Sequence, residues 1–98
     1  MKEALLIKKV KEELKDWICW KPAKVRFYET DIFSVFDLCC WKNSQIKFIQ
    51  VTTSPHISAR RKKIETFMKK YNVGVPRDCE MSVWGWNKKK KEFRKVTV

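Results

Sequence analysis

Apolar residues recur at helical spacing along the first eighteen positions. Leu6, Val10, Leu14 and Trp17 follow one another at four, four and three residues, which predicts one apolar stripe on a helix over 2–18. Lys2, Lys8, Lys9, Lys11 and Lys15 cover the other faces, and Glu13 falls at the stripe's edge, about 20° from Leu6 at 100° per residue. Lys21-Pro22 ends the element, because proline disfavours helical geometry in the residue before it. The pattern then shifts to period two. Lys24 to Tyr28 alternates charged and apolar residues, with Val25 and Phe27 on one side, and predicts a strand. After the polar break Glu29-Thr30-Asp31, the dense run of strand formers from Val35 to Trp41 predicts a central strand. Lys42-Asn43-Ser44 predicts a hairpin turn, and Ile46 to Thr53 the partner strand.

Ser54-Pro55 has the form of a helix start, with Ser as N-cap and Pro at the first helical position. The helix is expected to run to about Tyr71, burying Ile57, Ile64, Phe67, Met68 and Tyr71, with Arg60 inside that stripe. Asn72-Val73-Gly74 supplies the stop. Met81 to Trp86 and Phe93 to Val98 predict two more strands, joined by a turn around Asn87 to Lys91. No internal repeat is present. The expected fold class is α/β: a single compact domain in the order α-β-β-β-α-β-β, with a mixed central sheet flanked by helices and the first three strands as a meander.

Composition narrows the function classes. The 98 residues suit one domain. No run approaches the ~18 apolar residues a membrane span needs, and Leu5-Leu6-Ile7 is too short for a signal sequence, so a cytoplasmic protein without a membrane partner is expected. Cys19, Cys39, Cys40 and Cys79 form no C-x-x-C pair, and His56 alone does not complete a zinc site. Adjacent Cys39 and Cys40 should point to opposite sheet faces, and buried free thiols are expected.

Charge changes the picture most. Twenty-three Lys and Arg against 11 Asp and Glu leave a net +12. The excess is uneven: residues 56–98 hold 13 basic and 4 acidic residues (+9), residues 1–55 hold 10 and 7 (+3). A field this positive attracts polyanions and makes binding salt-dependent, so nucleic acid is the expected partner. A lysine-rich solubility surface is the plainer alternative. Arg60, Arg61, Lys62 and Lys63 on the second helix, and Lys88, Lys89, Lys90 and Lys91 at the hairpin tip, are the expected phosphate contacts, with Lys21, Lys24 and Arg26 on another side. The lysine tip reads equally as a solvated turn. Trp84 and Trp86 share a strand face and are core if buried, stacking platforms if exposed.

Two polar residues sit in otherwise apolar strands. Asp37 interrupts Val35, Phe36, Leu38, Cys39 and Cys40; Gln50 interrupts Ile46, Phe48, Ile49 and Val51. A lone buried carboxylate is costly unless paired or metal-bound. The two strands are joined by a short turn, so Asp37 and Gln50 can be cross-strand neighbours. Thr52 follows on the same face, Asp31 precedes the sheet, and Glu13 lies on the helix packing against it. Such oxygens can hold Mg²⁺ or Mn²⁺. The plainer alternative is an Asp that caps a turn or pairs with Arg60.

Phe36-Asp37-Leu38, a turn, then Phe48-Ile49-Gln50-Val51-Thr52 resembles the core of the PD-(D/E)XK nuclease superfamily, which includes restriction enzymes and archaeal Holliday-junction resolvases. That resemblance implies an αβββαβ core and Mg²⁺-dependent cleavage of nucleic-acid phosphodiesters, with DNA as expected substrate. It also implies metal binding by Asp37 and Gln50, with Glu13 as the helix acid. Gln in place of Glu is similar to Mrr-like restriction nucleases. Thr52 stands where the superfamily has Lys, so Arg60 or Lys63 on the following helix would take the basic role. A domain this small implies a homodimer to cut both strands. Loss of catalysis, leaving a nucleic-acid-binding module on the same fold, and an aromatic-rich oligomeric interaction domain are the alternatives.

Overall fold

The computed structural model describes residues 2–22, 31–33 and 35–98. The expected strand over Lys24 to Tyr28, with Lys24 and Arg26, lies outside the described residues. Helix α1 (Glu3–Glu13) leads into strand β1 (Ile18–Trp20), then β2 (Leu38–Lys42) and β3 (Gln45–Thr53). A 3₁₀ turn (Ser54–His56) opens helix α2 (Ile57–Tyr71), followed by β4 (Cys79–Asn87) and β5 (Glu92–Thr97). The five strands form one sheet in chain order, antiparallel except for β3 and β4. The described elements run α-β-β-β-α-β-β, but the first of these strands, Ile18–Trp20, begins inside the expected helix and is not the strand expected over Lys24 to Tyr28.

Helix α1 is shorter than the stripe suggested. It ends at Glu13, and Leu14 closes it by donating its N–H to Val10 O. Ile18-Cys19-Trp20 pairs instead with Trp41-Cys40-Cys39, because β-branched and aromatic residues pack better on a pleated surface than on a helix end. Trp17 still packs against the core from the connecting turn.

Residues 35–37 depart from the expected strand. Ile32 and Phe36 bridge across a tight loop, each donating its N–H to the other's carbonyl, with Phe33 in the left-handed region at φ 55°. The loop drives Val35 and Phe36 into the core and leaves Asp37 one residue ahead of β2. Asp37 N–H still reaches Ile49 O at 2.9 Å, so the ladder begins there.

The sheet separates two apolar layers. Leu6, Ile7 and Val10 of α1 cover Leu38, Cys40, Ile49, Val51 and Trp84 on one side. Ile57 and Ile64 of α2 cover Phe36, Met81 and Val83 on the other. Ser54 makes no side-chain cap, contrary to expectation. The chain enters α2 through a 3₁₀ turn with Pro55 near its start, where a missing N–H costs nothing. Asn72 at φ 51° supplies the stop, with Asn72 N–H bonded to Lys69 O and Val73 N–H to Met68 O.

Gly85 fixes how closely α2 docks. A Cβ there would lie 2.4 Å from Ile57 Cδ1 and 3.2 Å from Ser54 Cα. The bare backbone of β4 thus admits the start of α2 directly against the sheet. All four cysteines are free thiols, but only Cys40 is buried, with Cys19 facing it across β1 and β2; Cys19, Cys39 and Cys79 are half-buried, contrary to expectation. Burial raises the Cys40 thiol far above its usual range. No helix among the described residues is long and apolar enough to cross a membrane.

Candidate phosphodiester site

The β2–β3 register pairs Leu38 with Ile49, which sets Asp37 beside Gln50 at the adjoining position. The extended chain of β3 alternates its side chains, so Gln50 and Thr52 fall on one face. Parallel pairing with β4 then places both strands' carboxyl ends at one edge of the sheet, where Thr52 meets Gly85 and Thr53 meets Trp86. At that edge a cleft of about 320 Å³ opens between the two helices. Asp37, Gln50, Thr52 and Thr53 line it from the sheet, Glu3 from α1, Arg60 from α2, and Asp31 from the preceding loop.

Asp37, Gln50 and Thr52 are buried, at 3%, 4% and 8% exposure. Asp37 Oδ2 accepts the Val51 N–H at 2.7 Å. Burial pushes the Asp37 carboxyl up to about 7, and the nearby Glu3 and Asp31 carboxyls push the same way; the Val51 N–H opposes them. Gln50 Oε1 is buried without a hydrogen-bond partner among the described residues. Native proteins leave few such atoms unsatisfied, so an unpaired amide oxygen beside a carboxylate that resists ionisation marks a place where a cation is favoured.

The donor chemistry fits a hard divalent ion. The oxygens are one carboxylate and one amide, with Glu3 and Asp31 at the rim, and Mg²⁺ takes oxygen ligands while keeping several waters. Among the described residues no group of three or more His, Cys, Asp or Glu could hold an ion, so any metal would depend on the Gln50 amide as well as on carboxylates.

Asp37, Gln50 and Arg60 thus come together as the sequence indicated, and Asp31 joins them. Arg60 forms no ion pair among the described residues, so the alternative of an Asp37–Arg60 pair is not what satisfies Asp37. Glu13 does not belong to the cleft. It lies at the other end of α1, exposed, where Lys95 Nζ donates to its Oε1 at 2.9 Å. Glu3 takes the place expected of it, because α1 meets the sheet edge at its first turn rather than its last. The sequence signal for Glu3 was an acid at a helix N-terminus, which the helix dipole favours anywhere.

Lys63, Arg61 and Lys62 are exposed on α2 and do not line the cleft; Arg61 pairs with Glu65 at 3.2 Å. Trp84 is core, and Trp86 is half-buried against the same layer. Lys88 to Lys91 cap the β4–β5 hairpin, ordered by Asn87 Oδ1, which accepts the Lys89 and Lys90 N–H groups at 3.0 Å each. Scanned against known protein families and curated proteins, the chain matches none.

Proposed function

We propose that this chain is a metal-dependent nuclease-like protein acting on nucleic-acid phosphodiesters, with DNA as its substrate. The observation that carries the reading is the buried Gln50 Oε1, which has no hydrogen-bond partner among the described residues and shares a cleft with a carboxylate raised to about 7. The mixed five-stranded sheet between two helices is compatible with the core that the PD-(D/E)XK resemblance implies, and the neighbouring positions of Asp37, just ahead of β2, and Gln50, on β3, support reading them as its metal-binding pair.

Asp37 and Gln50 would hold Mg²⁺ or Mn²⁺, with Glu3 at the rim. The ion would supply charge neutralisation and polarisation of the phosphodiester. Arg60, aimed into the cleft, orients a phosphate oxygen and stabilises the charge that develops on it, which a fixed guanidinium does without reorganising. The exposed bases of α2 and the lysine tip hold the rest of the backbone.

Cleavage assays on duplex, single-stranded and branched DNA with Mg²⁺ or Mn²⁺ test this. Metal-stimulated cutting that Asp37→Asn abolishes is the expected result; cutting unaffected by Asp37→Asn sinks the site. Thr52 favours a second reading, since no amine stands two residues after Gln50. A binding module would leave every substrate intact and bind equally well in EDTA, with affinity falling steeply as salt rises.

A further inference from the structure

A second cleft of about 700 Å³ adjoins the phosphodiester site, sharing Thr53 with it. Ser54 and Pro55 form one wall, Trp86 and Asn87 the other, and Lys88 and Lys89 its rim. The close approach that Gly85 allows between Ser54 and β4 builds the near wall. Both walls begin at the carboxyl ends of the parallel strands β3 and β4, the edge where ligands of open α/β sheets gather. Two contacts hold the Trp86 ring in place: Phe93 edge-on at 5.1 Å and Lys9 Nζ 4.9 Å from its ring centre.

We infer that this cleft seats an unpaired nucleobase against Trp86 and Pro55, next to the phosphate held at the Asp37–Gln50 cleft. The inference rests on the phosphodiester reading and narrows its substrate to nucleic acid with an unstacked nucleotide beside the reacting phosphate. The cleft is apolar and of a size that buries a planar ring, while its rim carries two of the four tip lysines, suited to the flanking phosphates. The interior of a continuous helix, stacked on both faces of every base, offers no free base face to such a slot. A fixed indole offers a stacking surface that tolerates any base.

Anisotropy of a labelled single-stranded oligonucleotide, DNA and RNA, tests the slot in EDTA, against a strand of the same length with abasic sites. The base-bearing strand should bind about ten-fold more tightly or better. Trp86→Leu should erase that difference and leave abasic affinity unchanged, and Trp86→Phe should restore most of it. Equal wild-type affinity for the two strands, or a base preference that survives Trp86→Leu, overturns the inference. On the unaltered protein, photocrosslinking from a 5-iodouracil strand should map to Trp86; crosslinks confined to Trp20 or Trp41 overturn it as well. Because neither measurement needs turnover, base-dependent binding without cleavage defeats the nuclease reading alone. Cleavage with base-blind binding defeats the slot alone.

Discussion

Asp37 Oδ2 accepts the backbone N–H of Val51 at 2.7 Å, across the hairpin from its own strand. The bond orients a carboxylate at 3% exposure beside the orphaned oxygen of Gln50, yet does not offset the cost of burying its charge. Under the proposed reading, a cation bound there would offset that cost.

Stability should depend on pH through this one group. Asp37 titrates near 3.8 in the unfolded chain and near 7 when folded, so the folded state holds the extra proton between those values. Its contribution is full below about 3.8 and is lost as pH rises towards 7, by up to about 1.4 kcal/mol per pH unit. Urea unfolding from pH 4.5 to 8 should show wild type losing stability relative to Asp37→Asn across that window. Parallel curves would remove the premise. Divalent-ion affinity should rise with pH up to about 7, since binding needs the carboxylate ionised.

Two acids of α1 should behave oppositely. Glu3→Gln removes a like charge beside Asp37, so it should lower the Asp37 titration point and weaken Mn²⁺ binding by about ten-fold. Glu13→Gln breaks only an exposed pair with Lys95, worth about 0–1 kcal/mol, and should leave metal binding unchanged. Calorimetric titration of both variants decides it. Equal losses would mean that Glu3 has no special place.

Gly85→Ala should destabilise the fold by about 1–3 kcal/mol, because Ile57 and Ser54 already occupy the space of a methyl group. Chemical denaturation gives the number. In an Ile57→Ala background, which removes both carbons lying 2.4 Å from that methyl position, the added cost of Gly85→Ala should shrink. An undiminished cost would place the obstacle at Ser54.

The polar interruptions at Asp37 and Gln50 were legible because alternating strands make any polar residue at a buried position conspicuous. Arg60 was legible for the same reason on a helical stripe. The last five residues expected of α1 were not: 14–18 continue the helical spacing, and only the partner residues Cys39 to Trp41 made Ile18 to Trp20 a strand. Trp84 and Trp86 were correctly paired on one face, but their burial awaited the layer that α1 lays over them.

Local pattern alone determined both helices, the strands from Leu38 onward, the positive field and the two misplaced polar groups, since each follows from spacing and side-chain chemistry within a few residues. Which carboxylate of α1 reaches the sheet edge, and that a slot beside Trp86 shares Thr53 with that edge, depended on the crossing of distant segments. Those crossings are fixed by close packing over the whole core, such as Ile57 against bare Gly85, which periodicity along the chain does not encode.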